Sequence, residues 1–244
     1  MAISKTTMEY LKMARAADIC DAMDSMGLQD TYEMSMNMRP LFPGIRFCGT
    51  ACTQEWERTD RKMPCMSYDE FEVKQYAKIE DGGYGAYDKP GVAPVDIKPG
   101  DVVVIDAHGL RGGILGSENT MNMMNQGVVG FVIDGQMRDT PEAINQGSTV
   151  FSTHISYTHP MGRIRIKSTN EPIVCDGVKV CPGDAVIADN DGVIVVPQQY
   201  ADEIAYRAYK IQQIDRRNRR ANYEKAGKAY DASVELMPDI DRWF

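Results

Sequence analysis

Two short apolar runs form the clearest pattern of hydrophobic and polar positions in the chain. Residues 102–105 and 128–133 are rich in β-branched side chains and are each closed by a turn signal, which predicts two buried strands. Between them, a glycine-rich turn over residues 109–116 leads into a predicted helix over residues 118–126. Strand, turn, helix and strand make a βαβ unit, and its crossover is expected to be right-handed.

The N-terminal segment is predicted to hold two helices. Thr7 is a candidate cap for the first, and the second is expected from about Ala17 to Gly27. Three carboxylates share one face of the second helix, which is interpreted as a solvated face or, alternatively, as a face turned toward a site: Asp18, Asp21 and Asp24.

The remaining pattern predicts strands, hairpins and a long helix. Residues 40–53 become alternating, and a strand is expected there and at residues 149–152, whereas residues 153–167 show no clear structure. Asp-Gly pairs at 176–177 and 191–192 predict hairpin turns. A helical pattern covers residues 198–223, and the aromatic C-terminus is expected to dock, plausibly on a neighbouring subunit.

Composition excludes several classes of protein. The chain has 244 residues, of which 43% are hydrophobic, so it can form a substantial core. Its net charge of -8 argues against non-specific nucleic-acid binding. No apolar segment approaches the length of roughly 20 residues that a membrane span needs. The six cysteines form no CxxC pair, which favours reduced, buried thiols in a cytoplasmic protein.

The strongest chemical signal follows the second apolar run. Arg138 offers a planar fork for a carboxylate, and Asp139 offers oxygen ligands to a hard metal ion. Glu142 adds a second carboxylate. The glycine turn before the helix exposes backbone N–H groups that suit an anion. The alternatives are a surface ion pair and a glycine turn that only closes the βαβ unit.

Three histidines are further candidates. His108 ends the first run and is a candidate proton relay, with a hydrogen-bonded strand-end histidine as the alternative. His154 and His159 are five residues apart, unlike the i, i+4 pair of a zinc helix, so a zinc site there is disfavoured.

Several motifs, in order, resemble the RraA-like family: GDVVVIDAHG, the turn ending in LG, QGVVGFVIDGQMRDTPE, GSTVFS and VCPGDAVIADNDGVIVVP. The resemblance covers roughly residues 7–205. This family includes class II pyruvate aldolases acting on 4-hydroxy-4-methyl-2-oxoglutarate and 4-carboxy-4-hydroxy-2-oxoadipate, as well as the regulator of ribonuclease E activity.

The resemblance implies an α/β fold of the swivelling β/β/α type, similar to phosphohistidine domains. It implies one RraA-like domain over residues 1–205, with N-terminal helices. The stretch at residues 56–99 is longer than in typical members and is expected to form a lid-like insertion. A C-terminal helical extension at residues 206–244 is expected to make a subunit contact. Homotrimers or homohexamers are expected, with no nucleic-acid or membrane partner.

The resemblance also assigns roles to single residues. Arg138 would hold the 2-oxo acid and its enolate, and Asp139, with Glu142 as the second acidic position, would hold Mg²⁺ or Mn²⁺. The substrate carboxylate would bind the backbone at the start of the helix, formed by Gly116, Ser117, Glu118 and Asn119. His108 joins Arg138 and Asp139 as a candidate catalytic residue.

The chain departs from the family's aldolases at the loop glycine, because Ser117 stands where an acidic residue is common and Glu118 follows one place later. His108 stands where small residues are usual. The expected activity is metal-dependent cleavage of a 4-hydroxy-2-oxo acid to pyruvate. The alternatives are a related decarboxylase, dehydratase or isomerase of a 2-oxo or sugar-derived acid, and a non-catalytic regulatory binding protein.

Overall fold

The computed structural model describes residues 2–59, 63–76 and 96–244. Within these ranges the helices are α1 Lys5–Met13, α2 Ala16–Asp24, α3 Tyr68–Tyr76, α4 Ser117–Asn125, α5 Thr140–Asn145 and α6 Ala201–Ala226. The strands are β1 Arg39–Pro40, β2 Phe47–Arg58, β3 Asp101–Asp106, β4 Gly113–Leu115, β5 Gly130–Met137, β6 Val150–Ile155, β7 Ile164–Thr169, β8 Ile173–Cys175, β9 Val178–Val180, β10 Ala185–Asp189 and β11 Gly192–Val196.

One large mixed sheet organises the chain, with the strand order β1-β6-β5-β3-β2-β10-β11. Neighbouring strands from β6 to β2 are parallel, and β10 and β11 continue antiparallel from β2. The short strand β4 pairs with β5, and β7 pairs with β2. Residues 33–40 connect the two edges, because Glu33 bridges to Ile194 in β11 while β1 pairs with β6. The sheet is therefore nearly closed.

Strand β3 shows why the first apolar run has no alternation. Val102 and Val104 pack into one core cluster, whereas Val103 and Ile105 pack into another on the opposite face. A parallel strand covered on both faces needs apolar side chains at every position. Because β3 lies beside β5 and in register with it, the predicted βαβ unit is confirmed. Its turn is shorter than predicted, since residues 113–115 form strand β4.

The helices at the two ends of the chain share a third core cluster with β10 and β11. Helix α1 is capped by Ser4, whose Oγ accepts from the Thr7 N–H at 3.1 Å, so the prediction of Thr7 as the cap is wrong. Asp18 is buried, accepting hydrogen bonds from Arg15 and from Gln212 in α6. The solvated interpretation is therefore wrong for Asp18, which instead ties α2 to α6.

The hairpin predictions are confirmed. β8 and β9 pair across Asp176 and Gly177, which both have positive φ as the turn requires. β10 and β11 pair with Asp189 opposite Gly192. The segment at residues 153–167 was expected to lack clear structure, yet β7 begins at Ile164 and pairs with β2. Residues 164–167 alternate between apolar and basic side chains, and this short stretch forms a strand because β2 lies beside it.

The C-terminus docks on its own chain. The indole ring of Trp243 stacks on Tyr10 in α1, with ring centroids 4.3 Å apart, and its Nε1 donates to Thr7 Oγ1 at 3.3 Å. Helix α6 passes without a break through position 205, where the proposed domain boundary falls. The division at residue 205 and the subunit contact of residues 206–244 remain predictions.

Part of the predicted insertion at residues 56–99 is regular structure. Its first residues complete β2, in which the Trp56 side chain is fully buried, and helix α3 begins at Tyr68. Residues 60–62 and 77–95 lie outside the described residues, so the expected lid remains a prediction.

No helix in the described ranges is both long and apolar enough to span a membrane. The described cysteines are free thiols, and Cys65 is exposed rather than buried as expected.

Gly49 provides a test of the close packing between β2 and β3. A Cβ atom there would clash with the carbonyl oxygen of Gly100 and lie within 2.9 Å of side-chain carbons of Val102 and Val129. Because a backbone carbonyl cannot move aside, we expect Gly49→Ala to lower the free energy of unfolding by about 1–3 kcal/mol in urea denaturation. Thr50→Ala, on the half-buried neighbour, is the control. Equal stability of the two variants would contradict this account.

Candidate functional site

Arg138 and Asp139 follow directly on strand β5, at the edge where its parallel neighbours also end. The Arg138 N–H donates to the Leu115 carbonyl at 2.9 Å, which extends the pairing of β4 with β5 by one residue. The Arg138 side chain is partly buried, and its Nε donates to Asp139 Oδ1 at 3.1 Å. This edge is where an open α/β sheet usually keeps its ligand site.

The backbone of Asp139 directs its carboxylate into the site. Asp139 is the N-cap residue of α5, but it adopts a left-handed conformation (φ 55°, ψ 41°), and its side chain makes no capping hydrogen bond. A Cβ atom on Gly116 would clash with Asp139 Oδ2 and lie 3.5 Å from Arg138 Cγ. In the observed conformations of Asp139 and Arg138, a glycine at position 116 leaves room for both side chains. Left-handed non-glycine residues are uncommon and cluster at functional sites.

Helix α4 begins at this same glycine. Its first hydrogen bond is from the Thr120 N–H to the Gly116 carbonyl, at 3.1 Å. Within the described part of the chain, the N–H groups of Ser117, Glu118 and Asn119 have no acceptor. Unpaired N–H groups and the positive end of the helix dipole favour an anion at this position. The structure therefore brings together Arg138, Asp139 and the start of α4, as the sequence predicts.

Glu142 lies on the first turn of α5 and is exposed. Among the described residues, neither Glu142 nor Asp139 belongs to a group of three or more metal-ligating side chains. A hard ion at Asp139 would therefore take much of its coordination from water and substrate. The metal-binding role of these two carboxylates remains a prediction.

His108 belongs to a separate polar cluster. Its ring lies 3.1 Å from Glu55 Oε1 and 3.2 Å from Asp106 Oδ2, and its backbone is left-handed with φ 50°. Together these three side chains could hold a metal ion, although Lys167 Nζ already contacts Glu55 Oε1 at 2.8 Å. In the described ranges, no hydrogen bond or ion pair joins His108 to Arg138 or Asp139. Its catalytic role remains a prediction.

His159 is a site residue that sequence reasoning did not select. The Thr158 carbonyl accepts a hydrogen bond from the Gly113 N–H at 2.8 Å. Gly113 itself lies against Arg138, because a Cβ atom on Gly113 would be 2.9 Å from Arg138 Cδ. Thr158 is therefore at the site, and His159 is the next residue in the chain. Burial, Arg138 and Arg163 lower the pKa of His159, and Asp139 opposes this shift. The only signal in the sequence was a histidine in a segment without periodicity.

The fold and the site define a class: an α/β protein with a nearly closed sheet, in which an arginine, an aspartate and the start of a helix meet at one edge. A sequence profile of the RraA-like family, described as Aldolase/RraA, matches residues 16–195. Because this match covers most of the chain, the chain belongs to the RraA-like family.

Relatives with similar sequences carry aldolase names. A protein of Halalkalibacterium halodurans named "Putative 4-hydroxy-4-methyl-2-oxoglutarate aldolase" is 35% identical over 132 residues, which are 53% of this chain and 61% of that protein. Protein DlpA of Legionella pneumophila is 26% identical over 213 residues, which are 86% of this chain and 30% of DlpA. The chain thus spans less than two thirds of the length of these relatives.

Solved structures confirm the swivelling β/β/α fold, with helices at both ends of the chain. An uncharacterized protein from Pseudomonas syringae pv. tomato superimposes with a TM-score of 0.72 at 24% identity, covering 94% of this chain and 96% of that one. Streptomyces coelicolor RraAS2, an unusual member of the RNase ES inhibitor RraA family, gives a TM-score of 0.70 at 23% identity, covering 90% and 98%.

Asp106 allows the His108 cluster to be tested through pH. Burial raises the pKa of this carboxyl, helped by Asp134 and Glu55 and opposed by His108. The pKa of Asp106 is higher in the folded state than the value of about 4 expected in the unfolded state. The contribution of this carboxyl to the free energy of unfolding is therefore largest below about pH 4 and decreases as pH rises through the folded-state pKa. We expect Asp106→Asn to remove this loss, so the free energy of unfolding of the variant increases relative to wild type as pH rises from about 4 through the folded-state pKa.

Urea denaturation at several pH values measures this difference. Asp191→Asn, on an exposed hairpin residue, is the control. A difference between Asp106→Asn and wild type that does not change with pH would contradict the assigned effect of burial.

Proposed function

We propose that this protein is a divalent-metal-dependent lyase that cleaves a 4-hydroxy-2-oxo acid to pyruvate. The observation that carries the proposal is the arrangement around Gly116. On one side lies a carboxylate that is not used to cap its own helix, and on the other lie three backbone N–H groups without an acceptor. The aldolase names of several relatives in the same family support this proposal.

The residues fit a hard metal ion. Asp139 is about one-third exposed, with 36% of its side-chain surface accessible, and its Oδ2 points at the space that a Cβ on Gly116 would fill. Mg²⁺ is commonly bound by one or two carboxylates together with water and substrate oxygens. Asp139 would hold Mg²⁺ or Mn²⁺, with Glu142 contributing from the next turn. When bound, such an ion would act as a Lewis acid toward the enolate oxygen of pyruvate.

The other residues would bind and orient the substrate. The N–H groups of Ser117, Glu118 and Asn119 would hold the carboxylate of the 2-oxo acid. The Arg138 guanidinium, fixed by Asp139, would donate to the oxygen on which negative charge develops as the C3–C4 bond breaks. Donors already in place for the developing charge usually make the largest single contribution to catalysis. The substrate class named for the relatives, 4-hydroxy-4-methyl-2-oxoglutarate, would yield two molecules of pyruvate.

Two alternative functions for this site can be tested. An enolate-forming decarboxylase, dehydratase or isomerase would need the same metal ion and arginine but would release different products, which a panel of 2-oxo acids with product analysis distinguishes. A non-catalytic regulator would need no metal. Calorimetric titration with Mg²⁺ plus oxalate, an analogue of the pyruvate enolate, tests this alternative.

We further propose that the protein forms a homotrimer or homohexamer in the cytoplasm. Light scattering would measure the mass of this assembly.

Arg138→Ala tests the proposed role of the guanidinium. We expect kcat for retro-aldol cleavage to fall by about 100-fold or more, by analogy with the loss of one oxyanion donor. Arg217→Ala is the matched control, since Arg217 also pairs with an aspartate, Asp239, but lies on α6. Full lyase activity in Arg138→Ala would refute the assignment.

Asp139→Asn tests the metal site independently of turnover. We expect calorimetry to show loss of Mg²⁺ binding in the presence of oxalate, because a neutral amide is a weak ligand for a hard cation. Glu142→Gln should weaken binding less, by about 10-fold, as expected for a group that acts on the ion through water. Unchanged Mg²⁺ affinity in Asp139→Asn would remove Asp139 from the metal site.

A further inference from the structure

A cavity that shares no lining residue with the candidate site lies between α6 and the turn that joins α1 to α2. Its volume is about 330 Å³, which is within the range of roughly 300–1,000 Å³ that is typical of small-molecule sites. The residue before β2 and the 3₁₀ turn Ala232–Val234 complete its walls. Its polar lining residues, none of which is acidic, are Arg15, Arg46, Gln212, Arg216, Arg219 and Ser233.

Backbone carbonyl groups hold three of the four arginines in place. Arg46 Nη2 donates to two carbonyls at the end of α1, both at 2.9 Å. Arg216 Nη1 donates to the Glu235 carbonyl at 2.8 Å, and Arg219 Nη1 donates to the Ser233 carbonyl at 2.7 Å. A carbonyl acceptor positions a guanidinium group but does not neutralise its charge. The arginines are therefore ordered before a ligand binds, which lowers the entropic cost of binding.

The cavity holds more positive charge than its surroundings neutralise. The carboxylates of Asp18 and Asp215 pair with Arg15, and Asp215 also lies 4.0 Å from Arg219. Four guanidinium groups against two carboxylates leave an excess of two positive charges on a concave surface, in a chain whose net charge is -8. Such a surface attracts anions. The arginines without a carboxylate partner in the described part of the chain are Arg46 and Arg216.

Two arginines on α6 keep hydrogen-bond donors free for a ligand. Arg216 and Arg219 are one helical turn apart, so both lie on the same face of α6. Among the described residues, Nη1 is the nitrogen of each that donates a hydrogen bond, which leaves Nε and Nη2 without an acceptor. These two nitrogens form the planar fork that binds two oxygens of one oxyanion.

We infer that the cavity formed by Arg15, Arg46, Arg216 and Arg219 binds a phosphate group, either as the free ion or as part of a small phosphorylated metabolite. A phosphate dianion matches the excess of two positive charges, and its three strong acceptor oxygens can bind more than one guanidinium group. A carboxylate, with one charge and two oxygens, would leave one positive charge unmatched. The bound group would join residues 232–235 to α1 and β2. This inference does not depend on the proposed lyase function.

Calorimetric titration of the whole protein with inorganic phosphate, ribose 5-phosphate and ribose tests the inference. We expect both phosphates to bind at millimolar concentrations or below and ribose not to bind, because the arginines recognise the charged group. Tighter binding of ribose 5-phosphate than of inorganic phosphate would identify a phosphorylated metabolite as the ligand, whereas equal or weaker binding would identify the free ion. Absence of binding by both phosphates would overturn the inference.

Met13→Glu tests the location of the site without removing an arginine. Met13 lines the cavity and is 42% exposed, so a glutamate there places a carboxylate among the guanidinium groups. We expect phosphate affinity to fall by about 10-fold or more, the scale of one hydrogen bond to a charged group. Met13→Gln, which has the same shape without the charge, is the matched control and should bind phosphate as wild type does. Equal affinity of these two variants would overturn the inference.

Arg216→Gln tests one of the free forks directly. It should also weaken phosphate binding by about 10-fold or more, whereas Arg217→Gln, at the next position of α6 and outside the cavity lining, should not. Equal affinity of Arg216→Gln and Arg217→Gln would contradict the assigned role of Arg216.

The start of α4 is a second place at which phosphate can bind, and Arg138→Ala distinguishes it from the cavity. We expect this variant to bind phosphate as wild type does, because Arg138 does not line the cavity. Loss of phosphate binding in Arg138→Ala, with full binding in Met13→Glu, would assign the anion to the candidate site and overturn the inference. These titrations contain no metal ion and no 2-oxo acid, so their outcome is independent of whether the protein is a lyase.

Discussion

The close approach of Asp139 to Gly116 is the contact on which the candidate site depends. The carboxylate occupies the space that any side chain at position 116 would fill, and the left-handed backbone of Asp139 turns it there instead of toward its own helix. The same glycine begins α4 and leaves the first N–H groups of that helix unpaired. The absence of a Cβ at position 116 therefore lets the Asp139 carboxylate lie close to the start of α4.

The core keeps this contact in place. Strands β3 and β5 are buried on both faces, so neither can shift in register without exposing apolar side chains to water. Because Arg138 and Asp139 follow β5 without a linker, their positions are set by the sheet. The nearly closed sheet extends this constraint to β2 and β7, which pair with each other. The candidate site residues thus lie at the ends of strands, while residues 110–116 connect them.

Much of this site could be predicted from local sequence, since apolar runs, Asp-Gly turns and a glycine before a helix are all short-range signals. The βαβ unit, both hairpins and the pairing of Arg138 with the start of α4 follow from such signals. His159 and strand β7 do not, because their positions depend on partners far away in the chain: Ile164, for example, pairs with Arg58.

The sequence by itself determined which residues can carry the chemistry and which strands must be buried, because residue type and local spacing decide both. Only the tertiary structure decided which of these residues meet. It gave His108 the partners Glu55 and Asp106, and it placed His159 near enough to Arg138 for that guanidinium to lower the pKa of the imidazole. The physical reason is that strand order and register, which bring distant residues together, are set by the packing of the whole sheet and cannot be read from any short segment.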